Sequence, residues 1–223
     1  MSSAINYERL YDYRFRDVDQ TSRQAVWNEI SSDIYERIGR PSRILDPSSG
    51  RCEFLNALPS VERWSIDQVD NSTFRGAGIH GITSSVFEAD LPSAYFDGVF
   101  VSNFLEHLTS QEEVASFLTL ARESMVSGGR IAILGPNFKY CGREYFDCAD
   151  HLLALTHVSV AEHLYAAGFS IDEVIPRYLP FSFRGILPPS PRLTRLYLRS
   201  RLAWTLLGKQ FLAIATNPSS PLN

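Results

Sequence analysis

Residues 43–55 read RILDPSSGRCEFL, and this stretch decides the fold. An apolar run stops at Asp46, a turn of small residues around Gly50 follows, and a helical pattern begins near Glu53. Such a run is typical of a buried parallel strand, and such a turn brings backbone close to a ligand at the carboxyl end of a sheet, where open α/β folds bind their cofactors. We therefore predict a strand, a ligand-binding loop and a helix.

A second predicted strand, residues 64–67, ends in another acid. Asp67 follows Asp46 by about 20 residues, the offset at which an acid commonly meets a ribose hydroxyl. Two acids at neighbouring strand ends indicate an adenosine ligand. A complete G-x-G-x-x-G motif is absent, and the Asp46 carboxylate would repel a pyrophosphate, so a cationic ligand fits better than a dinucleotide.

Three segments in this order resemble the class I S-adenosylmethionine-dependent methyltransferases, over residues 40–175. Residues 43–55 resemble the family's acid-x-Gly-x-Gly-x-Gly loop, residues 96–108 (FDGVFVSNFLEHL) its fourth strand and the following helix start, and residues 127–134 (SGGRIAIL) the turn into its fifth strand. The resemblance implies an α/β fold with a Rossmann-like seven-stranded sheet, mostly parallel with a terminal antiparallel hairpin and helices on both faces. It also implies S-adenosylmethionine as cofactor.

The resemblance further implies a set of cofactor-binding residues. Gly50 and its neighbours would hold the methionine end, Asp67 the ribose, and Asp46 would orient the cofactor by accepting hydrogen bonds. The full set is Asp46, Ser48, Gly50, Asp67, Ser85, Val86, Ser102, Asn103 and His107.

Three positions depart from the family pattern. Ser48 and Cys52 stand where the first and third glycines are expected, which predicts a slightly different turn because glycine serves where φ is positive. Ser85 stands where an acid near the adenine amino group is expected, and its hydroxyl can still hydrogen-bond.

Residues 140–151 are rich in aromatic, acidic and cysteine residues and are predicted to form the substrate wall, with Tyr145 and Asp147 facing the acceptor. Methyl transfer to a hydroxyl requires removal of a proton, and a histidine pKa near 6.5 suits that task. We predict His151 as general base, oriented by Asp150 or Asp147. The alternative is that Asp150 and His151 only order the loop.

His107 is a second candidate base, although a structural role near the methionine end is favoured for it. Arg177 and Arg184 are predicted to bind an anionic group of the acceptor. An insertion, residues 180–208, precedes the last predicted strand and includes Arg184, and in it arginines stand beside leucines. A membrane-surface helix, a homodimer contact and a substrate lid all fit that pattern, and packing or self-association is favoured.

The carboxyl-terminal third resembles a bacterial methyltransferase subgroup linked to polysaccharide and glycosylated-metabolite pathways, on residues 145–151, 174–177 and 207–211. That resemblance implies a sugar or secondary-metabolite hydroxyl as the small-molecule acceptor. The predicted organisation is an N-terminal helical cap, residues 1–40, followed by one cofactor-binding domain, residues 41–223.

Composition narrows the class of protein. With 223 residues and 44% hydrophobic content, the chain suits one α/β domain, and a net charge of −4 argues against a nucleic-acid partner. We find no signal-peptide pattern and no apolar run of membrane-spanning length, so we expect a cytoplasmic protein without a transmembrane span. The three cysteines lack C-x-x-C spacing, so neither a disulfide framework nor a metal site is expected.

Two other functions remain open at this stage. The first is a methyltransferase-like protein that does not transfer methyl, acting as a cyclase or a structural partner, and Ser48 and Cys52 motivate it. The second is an NAD-linked reductase, which the incomplete glycine motif and the missing Tyr-x-x-x-Lys pair disfavour.

Overall fold

The computed structural model describes residues 6–181 and 189–219, and within them a seven-stranded sheet forms the centre of the molecule. The strands are β1 (Arg43–Asp46), β2 (Glu62–Asp67), β3 (Ile79–Thr83), β4 (Phe96–Ser102), β5 (Met125–Pro136), β6 (Ser170–Leu179) and β7 (Gln210–Thr216). Their order across the sheet is β3-β2-β1-β4-β5-β7-β6.

The sheet is parallel from β3 to β5, and β7 runs antiparallel between β5 and β6. Ile131 of β5 pairs with Ala215 of β7, which in turn pairs with Ile171 of β6. The predicted mostly parallel sheet with a terminal antiparallel hairpin is confirmed. Strand order reverses between β1 and β4, so a crevice for a ligand is expected at the carboxyl ends of these two strands.

Eight helices and two short 3₁₀ turns surround the sheet in the described residues. The helices are α1 (Tyr7–Phe15), α2 (Gln20–Arg37), α3 (Glu53–Ala57), α4 (Gln111–Ser124), α5 (Phe138–Cys141), α6 (His157–Ala166), α7 (Pro191–Leu198) and α8 (Arg201–Leu207), and the turns are Leu105–His107 and Tyr145–Asp147. Ser110 caps α4, as predicted, by accepting a hydrogen bond from the Glu113 amide. Within the described residues no helix is both long and apolar enough to span a membrane.

Two hydrophobic clusters lie on opposite faces of the sheet. Neighbouring strand residues alternate between them, since Leu45 of β1 belongs to one cluster and Ile44 to the other. The first cluster takes side chains from α4 and α6, and the second from α2, α3, α7 and α8. Helices therefore cover both faces, as the predicted fold class requires.

The predicted apolar face of α2 packs against the sheet. Val26, Ile30 and Ile34 are buried, as is Ile38 just after the helix. By contrast α1 buries no side chain completely. Both helices fall in the segment predicted as an N-terminal cap; the division of the chain at residue 40 stays a prediction.

Residues 125–129 differ from the sequence-based expectation. Residues 127–134 were expected to contain the turn into the fifth strand, but α4 ends at Ser124 and β5 begins at Met125, so Gly128 and Gly129 lie within the strand. Gly128 has φ +81°, and the register between β4 and β5 shifts at this point. The glycines therefore accommodate an irregularity in the strand rather than a helix end.

The predicted insertion contains α7 and α8, and residues 182–188 within it lie outside the described residues. The insertion is anchored by Trp204, which is buried and packs edge-on against Tyr178 of β6 at 5.5 Å between ring centroids. On α7, Arg195 pairs with Glu29 of α2 at 2.6 Å. The insertion thus packs on the α2 face of the sheet.

Candidate cofactor and catalytic site

The loop after β1 is bonded directly to the end of β2. The Gly50 amide donates a 2.8 Å hydrogen bond to Asp67 Oδ2, and the Val69 amide donates to Asp67 Oδ1 at 3.0 Å. Burial raises the pKa of Asp67 although these backbone bonds lower it. The carboxylate therefore lies at the sheet edge in a fixed orientation, next to the turn.

The second acid of the site, Asp46, is buried at the end of β1. It accepts a 3.2 Å hydrogen bond from the Ser48 amide. Burial raises its pKa well above the ordinary value, and the charges of Asp67 and Glu53 add to that effect. A ligand that brings hydrogen-bond donors or positive charge between Asp46 and Asp67 would be stabilised by both carboxylates.

The turn itself uses left-handed backbone at two positions. Gly50 has φ +50° and Cys52 has φ +58°. Cys52 occupies the third glycine position of the family pattern and keeps the positive φ there. For a residue with a side chain this backbone conformation costs on the order of 1 kcal/mol. The Cys52 thiol is buried, 3.6 Å from Ser65 Oγ. The prediction of an altered turn stays untested at Ser48.

Asn71, which was not among the predicted site residues, fixes the inner side of this turn. Its buried side-chain amide donates to Ser49 Oγ at 2.9 Å and to the Gly50 carbonyl at 3.0 Å, and Ser49 Oγ lies 2.8 Å from Ser65 Oγ. The amide thus joins the loop after β2 to the turn after β1. A polar residue in a loop gives no sequence pattern that distinguishes this role.

The remaining predicted cofactor residues follow β3 and β4 at the same edge of the sheet. Ser85 Oγ accepts a 3.3 Å hydrogen bond from the Phe87 amide, and Val86 is buried. Ser102 ends β4. Asn103 has φ +48°, and its backbone amide donates a 2.9 Å hydrogen bond to the Leu134 carbonyl. The predicted set therefore follows four consecutive strand ends of the sheet.

Next to this edge lie Glu106, His107, Asp150 and His151, here called the acid–histidine cluster. His107 Nδ1 is 2.8 Å from the Asp150 carbonyl oxygen. Because a carbonyl only accepts, Nδ1 carries a proton and points at Asp150. Glu106 Oε1 lies 4.0 Å from Nε2 of His107 and 4.0 Å from Nε2 of His151.

Burial dominates the electrostatics of the cluster. It raises the pKa of Glu106, and it lowers the pKa of His151 to about 4, with the nearby His107 adding to that effect. For Asp150 burial is outweighed by the hydrogen bond from Arg14 and by the charge of His107, so its pKa is lowered. At neutral pH the His151 ring is uncharged.

The partner of His151 differs from the one predicted. The Asp150 carboxylate forms an ion pair with Arg14 of α1 and lies 3.6 Å from His107 Nδ1, while Asp147 is exposed. Arg14 is a charged donor that the local sequence does not reveal, and it holds the Asp150 carboxylate in an ion pair. The acid that faces His151 is Glu106. The roles of His151 and Asp150 in proton transfer stay predictions.

Two of the predicted substrate residues have structural contacts. The buried Tyr145 hydroxyl donates to the Leu153 carbonyl at 2.6 Å and accepts from the Leu155 amide at 3.2 Å. The Arg177 guanidinium donates to the Gly208 carbonyl at 2.8 Å and the Leu206 carbonyl at 3.1 Å, which ties β6 to α8. Their binding of substrate stays a prediction.

The last predicted substrate residue, Arg184, lies outside the described residues.

Helix α1 lies close to both parts of the site. Burial raises the pKa of Tyr11, and the charges of Asp150 and Asp67 raise it further, so the phenol lies near both acids. From the same helix Arg14 reaches Asp150. On the other side, the Arg51 guanidinium lies over the Phe15 ring, 4.9 Å from its centroid. This helix lies within the predicted N-terminal helical cap, residues 1–40, but the local sequence did not identify Arg14 as a partner of Asp150.

Comparison with solved structures identifies the architecture. A S-adenosylmethionine-dependent methyltransferase from Archaeoglobus fulgidus matches with a TM-score of 0.64 at 20% identity, over 95% of this chain and 100% of that chain. The fold is that of S-adenosylmethionine-dependent methyltransferases. No protein-family model matches the sequence, and no curated protein matches it either.

Two further methyltransferase-fold neighbours differ in what they do. The 1,6-didemethyltoxoflavin-N1-methyltransferase of Burkholderia thailandensis, solved with its substrate and S-adenosylhomocysteine, matches with a TM-score of 0.60 at 18% identity, over 98% of this chain and 92% of that one. The [4+2]-cyclase SpnF matches with a TM-score of 0.61 at 13% identity, over 86% of this chain and 81% of that one. At these identities the shared property is the methyltransferase fold.

Proposed function

We propose that this protein transfers a methyl group from S-adenosylmethionine to a small molecule, at a hydroxyl group of a sugar or a secondary metabolite. The observation that carries the proposal is the hydrogen bond between the Gly50 amide and Asp67. It joins the turn predicted to bind the methionine end to the acid predicted to bind the ribose, at the edge of the sheet where a crevice is expected between β1 and β4.

The residues present fit this cofactor. Asp46 and Asp67 form a pair of largely buried carboxylates whose pKa values are both raised by burial, an environment that favours a ligand carrying positive charge. When bound, the cofactor supplies an electrophilic methyl group. Asp67 would hold the ribose hydroxyls, and Ser85 and Val86 would lie beside the adenine.

The acid–histidine cluster supports transfer to a hydroxyl. His151 is uncharged at neutral pH, so a ring nitrogen is free to take the acceptor's proton, but its lowered pKa of about 4 makes it a weaker base than an ordinary histidine. Positioning of the acceptor by the walls of the site is expected to supply much of the rate. Asp150 would act on His151 only indirectly, since its carboxylate contacts Arg14 and His107.

A non-transferring protein is the second candidate function. One observation favours it: the turn reaches its left-handed conformation with Cys52, whose side chain is buried beside Ser65 instead of leaving the open space of a glycine. The neighbour SpnF is a cyclase with the methyltransferase fold. Such a protein would bind the cofactor or its demethylated product and leave it unchanged.

Calorimetric titration with S-adenosylmethionine, S-adenosylhomocysteine and NAD in parallel tests the proposal. We expect micromolar binding of the first two and none of NAD. Incubation with radiolabelled S-adenosylmethionine and a panel of sugar nucleotides and phenolic metabolites then separates the two functions, since only a transferase labels an acceptor. Absence of S-adenosylmethionine binding would overturn the proposed function.

A further inference from the structure

The acid–histidine cluster contains buried oxygen atoms that lack partners. Within the described residues, Glu106 Oε1 and Asp150 Oδ2 have no hydrogen-bond partner, and their side chains are 3% and 1% exposed. Leaving a buried carboxylate oxygen without a partner is costly. The arrangement indicates a group that is held by the cluster and supplies positive charge.

Three side chains of the cluster place potential metal-ligand atoms close together. Glu106, His107 and His151 each place one ligand atom within 4.8 Å of the other two. The two Nε2 atoms are each 4.0 Å from Glu106 Oε1. A bound ion with bonds of about 2.0–2.2 Å would require shifts of about 1 Å or less in each side chain.

The surroundings of His107 are those of a metal ligand. Its Nδ1–H donates to the Asp150 carbonyl at 2.8 Å, which fixes the tautomer and leaves the Nε2 lone pair facing Glu106. The loop is held there by the backbone: the Glu106 carbonyl accepts hydrogen bonds from the amides of Leu152 at 2.8 Å and Leu153 at 3.1 Å. Two acid–histidine dipeptides are thus held together in a fixed arrangement. They are residues 106–107, in the turn after β4, and residues 150–151, in the loop after β5.

We propose that Glu106, His107 and His151 bind one divalent transition-metal ion. Two imidazoles and one carboxylate favour Zn²⁺ over Mg²⁺, Ca²⁺ and Mn²⁺, which prefer oxygen ligands. Three protein ligands leave at least one position open, as in catalytic zinc sites. The expectation of no metal site came from cysteine spacing, which carries no information about this cluster.

The open position gives the ion a role that rests on the proposed methyltransferase function. An acceptor hydroxyl bound there would release its proton to solvent water more easily, because the ion stabilises the alkoxide. The alkoxide oxygen would then form a bond to the methyl carbon as the sulfonium–methyl bond breaks, which leaves S-adenosylhomocysteine. With the ion present, His151 is a ligand and no longer the group that takes the proton. The ion would therefore select acceptors that offer a hydroxyl oxygen, and chelating diols most of all.

The test measures metal binding itself. Untagged protein is stripped with EDTA, titrated with ZnCl₂ and MnCl₂ by calorimetry, and titrated with CoCl₂ while the visible absorption of protein-bound Co²⁺ is recorded. We expect about one equivalent to bind. Glu106→Gln, which keeps the side-chain shape, and His107→Ala should each weaken binding by at least about tenfold.

The matched control is His163→Ala, because His163 contacts Gln111 on α4 at 2.7 Å and takes no part in the cluster. It should bind the metal like the wild type, and thermal denaturation of all variants checks that they fold. No saturable binding, or equal binding by wild type and Glu106→Gln, would overturn the metal site. Asp67→Ala should retain the metal. A wild-type protein that binds the metal but not S-adenosylmethionine would overturn the proposed function and leave the metal site standing.

Discussion

The Gly50 amide and the Asp67 carboxylate are joined by a 2.8 Å hydrogen bond, so the turn after β1 and the end of β2 are held as one unit. The contact spans two strands that lie side by side and in register, with Asp46 opposite Ser65. A ligand that engages the Asp67 carboxylate would also set the position of the turn. Binding at the two places is therefore expected to be coupled.

The first prediction concerns this acid. Asp67→Ala should raise the dissociation constant for S-adenosylmethionine by about tenfold or more, because hydrogen bonds to a charged group contribute about 1.5–3 kcal/mol. Calorimetry measures the change. Asp70→Ala is the control, since Asp70 is exposed, bonds to Ser72 and lies 3.9 Å from the Arg75 guanidinium. An unchanged constant in Asp67→Ala would refute the ribose assignment.

The second prediction concerns the turn in the absence of ligand. Asn71→Ala should lower the free energy of unfolding by about 1–3 kcal/mol, because the Gly50 carbonyl and the buried Ser49 hydroxyl lose their shared donor. Urea denaturation followed by fluorescence gives the value. The neighbouring exposed Ser72→Ala should stay within about 0.5 kcal/mol of wild type. Equal effects of the two substitutions would show that the amide does not fix the turn.

The third prediction concerns the cover formed by α1. Arg14→Met should destabilise the protein by about 2 kcal/mol, because the Asp150 carboxylate stays buried without its ion-pair partner. We also expect faster proteolytic cleavage within α1, since that helix buries no side chain completely. Arg16→Met is the control, because Arg16 is exposed and pairs with Asp17 at 3.2 Å. Cleavage at the same rate in both variants would contradict a docking role for Arg14.

The fourth prediction uses pH. Burial alone would raise the pKa of Asp97, but hydrogen bonds from the Ser42 side chain and from the amides of Ser42 and Arg43 outweigh it, and the pKa is lowered. A lowered pKa in the folded state stabilises the protein above the unfolded pKa of about 3.9, and this stabilisation is lost as the pH falls through the folded pKa.

Asp97→Asn should therefore be less stable than wild type at pH 7, by about 1 kcal/mol given the partial exposure of the side chain, and the difference should shrink towards zero in acid. Urea denaturation at pH 7 and at pH 3 provides the two values. The exposed Asp90→Asn should show no such dependence. A difference that is the same at both pH values would rule out this role for the carboxylate.

The sequence predicts the strands, and the edge of the sheet where the cofactor is expected, because both follow from short stretches of sequence. Apolar runs such as residues 43–46 identify strands, and the carboxyl ends of parallel strands meet at one edge whatever their separation in the chain. The position of Gly128 within β5 was missed because a glycine pair ends a helix or bends a strand equally well. Only pairing with β4 decides between these outcomes.

The acid–histidine cluster was predicted in part for a different reason. Asp150 and His151 are adjacent and easily noticed, whereas their partners come from distant segments: Arg14 is 136 residues from Asp150, and Glu106 comes from the turn after β4. Local spacing cannot show which acid meets which base. The orientation of His151 was therefore assigned to its sequence neighbour instead of to Glu106.

The position of β7 has a consequence for synthesis of the protein. Among the described strands β6 pairs only with β7, and β5 has β7 as its neighbour on one side, yet β7 is the last strand to be translated. Until residues 210–216 leave the ribosome, the nascent chain carries β5 with an open edge and β6 without any partner. Open strand edges invite pairing with other chains. Until β7 is available, the open strand edges leave this protein most exposed to aggregation and to chaperones. Translation of these few residues ends that exposure.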